Sequence, residues 1–405
     1  MNLIDRFLKY VAVDTQSDGY SESFPSTEKQ KDLAKLLVEE MLELGISDAR
    51  MDGYGYVYGS IPGNVEGAPA LGLIAHLDTS PDLSGANVKP QFIKYEGGDI
   101  VLNAEKNIVM KLADFPFLDT VKGQELIVTD GTTLLGADDK AGIAEIMTVA
   151  EYLINHPEIP HGKICLGFTH DEEVGGGPRY FDYQAIGADF AYTLDGGRLG
   201  EVEYENFNAA GAEITINGVT IHPGSAKNKM INSMRIAMEL ESMMPVHARP
   251  ESTEMYEGFI HLNAMEGTVE QTKMHYIVRD HDMEKFLQKK AKVERICAYL
   301  NQEYGEGTVE LNMKDSYFNM AEPMKAHMHL IDNARKVVED MGLTAFTVPI
   351  RGGTDGATFT HKGLPCPNLG VGAYNAHGKY EFASVEQMNG VVEMLLKLID
   401  LYSKK

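Results

Sequence analysis

Five places in this chain put histidine, aspartate or glutamate just after a short apolar run or just before an amphipathic one. The apolar run 71–75, bounded by Gly and Pro, leads into His76-Leu77-Asp78. Gly136-Ala137-Asp138-Asp139 precedes the segment 140–155, which keeps Ile143, Ile146, Met147, Ala150 and Ile154 on one side. The run 164–169 passes into His170-Asp171-Glu172-Glu173 and then Gly175, Gly176 and Gly177. The run 190–194 ends at Asp195-Gly196-Gly197, and 368–373 leads to Asn375-Ala376-His377-Gly378. Short apolar strands alternating with amphipathic helices predict an α/β domain. In open α/β sheets, ligands bind beyond the carboxyl ends of the strands. The simplest physical reason to gather several carboxylates and two imidazoles there is to hold divalent metal.

Taken singly, each fragment has an ordinary structural reading. A histidine after a strand is most often a satisfied structural residue. Adjacent acids such as Glu172-Glu173 usually face solvent, and 175–177 reads as a loop with unusual dihedrals. Coincidence at five strand or helix ends argues against all of these together. Other catalytic patterns fit poorly. There is no Gly-x-Ser-x-Gly elbow, His170-Asp171-Glu172-Glu173 is not His-Glu-x-x-His, and Gly370-Val371-Gly372 lacks the third glycine of a dinucleotide fingerprint.

Further helices are expected at 26–45, with a Thr27/Gln30 capping box and Gly45 as terminator, and from the Ser384/Gln387 box to about Ile399. Leu3, Ile4, Phe7, Leu8 and Val11 recur at helical spacing among charged residues, which suggests an amphipathic helix and not a signal peptide. The middle of the chain has another rhythm: strand 212–219, helix 230–244, strands 258–263 and 269–278, helix 282–300 and strand 309–313. That βαββαβ order is what a ferredoxin-like unit shows. A second domain is therefore expected at 209–318, inserted into a first domain made of 1–208 and 319–405.

The formal net charge of −24 argues against nucleic-acid and anionic-membrane partners, and it means that acids inside the fold need compensating cations. Three scattered cysteines, Cys165, Cys297 and Cys366, suit neither a disulfide framework nor a cysteine zinc cluster. No apolar run approaches the ~20 residues that span a bilayer. A soluble, cytoplasmic protein is expected.

The whole set of motifs resembles the M20 family of dizinc metallopeptidases. The blocks that carry the resemblance are His76-Leu77-Asp78-Thr79-Ser80-Pro81-Asp82, Gly136-Ala137-Asp138-Asp139-Lys140-Ala141-Gly142 and Asp171-Glu172-Glu173. They continue with His222-Pro223-Gly224, Arg279-Asp280, Arg351-Gly352-Gly353-Thr354-Asp355-Gly356 and Asn375-Ala376-His377-Gly378. One departure is Gly176, where relatives often carry a basic residue, and it bears on local loop contacts. The resemblance implies a zinc-peptidase-like α/β/α catalytic domain with an inserted ferredoxin-like α+β lid or dimerisation domain. It implies two Zn²⁺ per subunit that share Asp138, with His76 and Asp195 on one and Glu173 and His377 on the other. Asp139 is the nearest rival to Asp138, but related motifs keep an Asp two residues before Lys-x-Gly. Glu172 would be the general base for a metal-bridging water, and Asp78 would orient His76. His222, Arg279 and Arg351 are the expected substrate contacts. His222 would help to hold the tetrahedral intermediate, acting on the partner subunit where relatives dimerise, and the arginines would take a peptide carboxylate. The expected activity is release of the N-terminal residue from tripeptides. The alternatives are another M20-type carboxypeptidase or amide deacylase, or a non-catalytic metal- or peptide-binding protein on the same scaffold.

Overall fold

The strands Leu71–His76 and Ile164–Thr169 are buried along their whole length in the computed structural model, which describes residues 1–404. Strands covered on both faces read as continuous apolar runs, and this is why these two stand out in the sequence. They form the centre of a seven-stranded sheet. Its order is Arg50–Met51, Val57–Ile61, Ile164–Thr169, Leu71–His76, Phe190–Gly196, Asn368–Gly370 and Val202–Glu203. The four strands from Ile164–Thr169 to Asn368–Gly370 are mutually parallel. Val57–Ile61 and Val202–Glu203 flank them antiparallel. Parallel register, with Leu71 opposite Ile164 and His76 opposite Thr169, brings the carboxyl ends of the central strands to one edge.

Ala137–Asn155 packs against Leu71–His76, against the N-terminal helix Leu3–Val11 and against the last helix Val385–Ser403. Ile143, Ile146 and Met147 are fully buried there. Asp138 and Asp139 have non-helical backbone angles, so regular helix starts at Lys140. A separate four-stranded antiparallel sheet has the order Ala373–Tyr374, Phe382–Ser384, Glu125–Val128 and Gln91–Lys94. With Tyr95, Leu118, Val121 and Phe382 it has its own apolar core.

Two expectations need correcting. The run 368–373 is not one strand: Asn368–Gly370 belongs to the large sheet and Ala373–Tyr374 to the small one. Gly372 has φ 73°, a left-handed conformation that ends an extended strand, and the Gly372 N–H turns to the Gly197 carbonyl at 2.8 Å. The second helix begins at Gln30, and no side chain caps it. Thr27 Oγ1 donates instead to the Gln16 carbonyl, and Gln30 Nε2 donates to Asp171 as well as to Thr27. Gly45, at φ 97°, does end this helix.

Those elements make up one compact unit, Met1–Tyr204 with Pro323–Val348 and the chain from Thr354 on. A second unit comprises Glu205–Glu322 and Pro349–Gly353. It contains an antiparallel sheet in the order Phe259–Gly267, Gln271–Asp280, Asn208–Asn217 and Val309–Tyr317. The helices Ser233–Met243 and Met283–Tyr304 contribute Ile236, Leu240, Phe286, Val293 and Leu300 to its core, with Ile214, Met274 and Val278 from the sheet. Strand order and connections are ferredoxin-like. Sequence spacing leaves 349–353 in the larger domain. The structure places Pro349–Gly353 in the smaller unit because Ile350 N donates to the Glu205 carbonyl at 3.0 Å and Arg351 grips the loop 253–257. Among the described residues, no helix is long and apolar enough to cross a membrane.

Candidate metal centre

His76 closes the Leu71–His76 strand, and Asp195 lies near the end of Phe190–Gly196. Asp138 stands where the chain enters its long helix, and Glu172 and Glu173 begin a single 3-10 turn, Glu172–Val174. His377 lies in a loop beyond Ala373–Tyr374, with φ 67°. All of these residues belong to the first unit. The carboxylate of Asp138 is shared: His76 Nε2 is 2.8 Å from Oδ1, and His377 Nε2 is 3.3 Å from Oδ2. His76 Nε2 also lies 3.5 Å from Asp195 Oδ1, and His377 Nε2 lies 2.7 Å from Glu173 Oε2.

The atoms of His76, Asp138 and Glu173 cluster within 4.8 Å, as do those of His76, Asp139 and Asp195. Asp139 is fully buried, and its Oδ2 accepts the backbone N–H of His76 at 3.0 Å. Asp138 is therefore the acid whose two oxygens face the two imidazoles, while Asp139 is tied to the strand behind His76. Imidazole nitrogen and carboxylate oxygen suit borderline divalent metals. Glu173 Oε1 is buried without a hydrogen-bond partner, as a donor kept for a cation would be.

Electrostatics follow from crowding. Burial pushes the carboxyls of Glu172 and Glu173 up, with the neighbouring charges of Asp195 and Asp138 adding to it. Burial also raises Asp139 and Asp195. Burial alone would raise Asp138, but the hydrogen bonds of His377 and His76 hold it below its ordinary value. Hydrogen bonds with Asp138 and Glu173 lift His377 to about 11. For His76, burial opposes the charge, and contacts with Asp138, Asp195 and Asp78 outweigh it.

Asp78 does more than orient an imidazole. His76 Nδ1 is nearer to the Asp78 carbonyl oxygen, at 3.0 Å, than to its carboxylate, at 3.4 Å. The carboxylate of Asp78 accepts the N–H groups of Glu172 at 3.0 Å and Glu173 at 3.3 Å, and so fixes the turn that carries both acids.

Three supporting acids were not singled out from the sequence. Asp171, at φ 59°, accepts from Ser26 N, Ser26 Oγ and Gln30 Nε2, while its carbonyl takes the N–H groups of Gly176 and Gly177. A Cβ on Gly176 would lie 2.8 Å from Asp171 Cβ, so a side chain there would press on this hub. Asp355 accepts from Thr169 Oγ1 at 2.6 Å, and burial pushes it up to about 7. Glu381 accepts three backbone N–H groups beside Asp138, and burial pushes it up to about 7 against their pull. The only local signal for Glu381 is its place four residues after His377.

The remaining candidates belong to the second unit. His222 lies in an exposed turn, where its Nδ1 accepts from Gly224 N at 3.1 Å. Arg279 donates to the Arg351 carbonyl at 3.2 Å, and its buried Nε has no partner. Arg351 donates to the carbonyls of Met255 and Glu257 at 2.7 and 2.8 Å and to Thr253 Oγ1 at 2.9 Å. Arg279 and Arg351 therefore meet, with the Arg351 fork engaged by the loop 253–257.

Residues 204–308 match a family model described as peptidase dimerisation domain. A peptidase T from Alkaliphilus oremlandii is 55% identical over 407 residues, covering 100% of both chains. Among solved structures, the aminopeptidase PepT from Bacillus cereus superposes with a TM-score of 0.77 at 24% identity, covering 100% of this chain and 98% of that one. A tripeptidase from Staphylococcus aureus gives 0.79 at 24% identity, with 100% and 98% coverage. A Bacillus subtilis protein described as a dinuclear metal binding peptidase from the M20 family gives 0.65 at 13% identity, with 99% and 98% coverage. Its fold and its full-length relatives make this protein an enzyme, a peptidase of the M20 class. Within that class, the chain belongs to the peptidase T family.

Proposed function

We propose that this protein is a dizinc aminopeptidase that releases the N-terminal residue of tripeptides. The observation that carries the reading is the division of Asp138, with one oxygen 2.8 Å from His76 Nε2 and the other 3.3 Å from His377 Nε2. Asp195 extends the His76 side and Glu173 the His377 side. This is a donor set for two ions sharing one carboxylate. The tripeptidase and aminopeptidase fold relatives and the dinuclear metal-binding peptidase point the same way. Two Zn²⁺ ions, when bound, would polarise the scissile carbonyl and make hydroxide available at neutral pH.

The chain's own groups do the rest. Glu172, raised by burial, takes the proton of the attacking water and passes it to the leaving amine. Asp78 holds the Glu172-Glu173 turn and the His76 ring in place. Arg279 has an unpartnered Nε for a peptide carboxylate, and Arg351 adds its fork after releasing the carbonyls of Met255 and Glu257. His222 donates to the oxygen of the tetrahedral intermediate. The match over 204–308 supports a homodimer through the second unit, with His222 serving the partner's site. Three buried free cysteines suit a reducing, cytoplasmic setting.

The test is a panel of tripeptides with free or blocked ends, run with metal analysis of the same sample. An N-blocked tripeptide should resist, and a free one should yield its first residue and a dipeptide. Removal of metal should stop the reaction and Zn²⁺ restore it. Glu172→Gln should keep two metals and lose turnover by about 10²–10⁴-fold. Release of the C-terminal residue, full activity after verified metal loss, or unchanged turnover of Glu172→Gln would each refute the corresponding part.

A further inference from the structure

We infer that Glu381 is a positioning residue that sets the spacing between the shared carboxylate and His377. The inference rests on the two-metal reading of the site.

Glu381 is 2% exposed and uses both carboxylate oxygens. Oε2 accepts from Leu135 N at 2.6 Å and Gly136 N at 2.8 Å, and Oε1 accepts from Asp138 N at 3.1 Å. These donors lie where the chain enters the Ala137–Asn155 helix. Gly136, the residue at the cap position, sits at φ 79° with no side-chain hydrogen bond of its own. Unpaired N–H groups at a helix start need acceptors, and negative charge is favoured there. Glu381 supplies both from more than 240 residues away in sequence.

The other end of the clamp is equally defined. The Glu381 N–H closes a turn onto the Gly378 carbonyl at 3.1 Å, directly after His377. Asn375 Nδ2 bridges the same loop to the Tyr380 carbonyl at 3.1 Å. Phe382, the next residue, is fully buried and stacks on Tyr374, and its strand pairs with Glu125–Val128. One short, sheet-anchored loop thus presents His377 and grips the segment that presents Asp138. The 3.3 Å between His377 Nε2 and Asp138 Oδ2 is set by this clamp. Among the described residues, no hydrogen bond joins the 375–381 loop to His76, so the His377 side of the centre depends on Glu381 more than the His76 side does.

Glu381→Gln keeps the shape but puts an N–H₂ against at least one backbone N–H. The probe is stepwise Co²⁺ titration of the metal-free protein, followed by visible absorption, with circular dichroism and melting as fold checks. Wild type should take two Co²⁺. The variant should bind the first as wild type does and the second about 10–100-fold more weakly, with a changed spectrum for the second equivalent. Glu386→Gln is the control, since Glu386 also clamps a backbone N–H, that of Glu125, at 2.8 Å, but on the outer surface. It should leave both constants and both spectra unchanged. Wild-type constants and spectra in Glu381→Gln would overturn the inference, as would an equal loss in Glu386→Gln. If Glu381→Gln does not fold, Glu381→Asp is read by the same criteria, since it keeps the charge but is too short to reach all three N–H groups. A wild-type protein that takes fewer than two Co²⁺ would instead overturn the two-metal reading, and with it the basis for the spacing role.

Discussion

Filling the centre with metal must eject the protons that its ligands hold. His76 Nε2 lies 2.8 Å from Asp138 and His377 Nε2 lies 2.7 Å from Glu173. Hydrogen bonds to these carboxylates favour a proton on each ring and hold both imidazoles above their ordinary value. A metal needs the lone pair that each ring proton occupies, so at least these two protons leave as two metals enter. Glu173, raised to about 8, adds to the release below that pH. The sign follows from the shifts. An ordinary imidazole, with a pKa of about 6.5, stops competing above about pH 7.5. His377 is raised to about 11 and His76 also lies well above its ordinary value, so both keep competing at higher pH. Each proton makes binding tenfold stronger per pH unit, worth ~1.4 kcal/mol. Two protons make the product of the two constants rise roughly 100-fold, or ~2.7 kcal/mol, between about pH 7.5 and about 8.5.

The assay is Zn²⁺ uptake by the metal-free protein, measured calorimetrically in buffers of different ionisation heat and by competition with a chelator. Release of at least two protons per dizinc site is expected across that range. Asp138→Asn should lower the count, because it removes a hydrogen-bonding carboxylate from both rings. A wild-type slope near zero would refute the reasoning.

Two other outcomes follow from buried carboxyls. Glu145 is fully buried with neither oxygen partnered, and burial, then the Asp139 charge, raises its pKa well above the ordinary value. The stability that this raised pKa contributes is present below the unfolded value of about 4.3 and is lost as pH rises, at ~1.4 kcal/mol per unit up to the folded value. Glu145→Gln should therefore gain melting temperature relative to wild type at pH 8 but not at pH 4; an equal change at both would count against a buried, protonated Glu145. A Cβ on Gly177 would collide with Asp355 Oδ1, and the other oxygen of this carboxylate, Oδ2, is held by Thr169 Oγ1. Gly177→Ala should cost about 1–3 kcal/mol in stability and lower turnover at least tenfold by shifting the Glu172–Val174 turn; wild-type stability and turnover would show that Asp355 yields freely.

Where the sequence carried the answer, the physics was local. Ile164–Thr169 has the bounds its run predicts, because a strand buried on both faces reads as a nearly continuous apolar run, here closed by Thr169, whose hydroxyl is hydrogen-bonded to Asp355. Regular helix starts at Lys140, where the apolar spacing begins, because Asp138 and Asp139 before it have non-helical backbone angles. The ferredoxin-like order of the second unit is legible from strand and helix periods alone. The acids and histidines stand out because polar ligands gather at strand ends. The small sheet joining 91–128 to 373–384 was not legible, since its short strands pair across more than 200 residues and lack a strong period of their own.

Composition and motif order determined that this chain builds an α/β scaffold with a metal-suited cluster of imidazoles and carboxylates. Tertiary structure decided what adjacent letters cannot separate: Asp138 faces both imidazoles while Asp139 is bound to the backbone of His76. It also decided that Glu381 and Asp171 hold loops in place and that Arg351 grips its own neighbour loop. The physical reason is one of range. Periodicity reports which face of an element is buried, but the direction of a carboxylate is set by N–H groups delivered from distant parts of the chain.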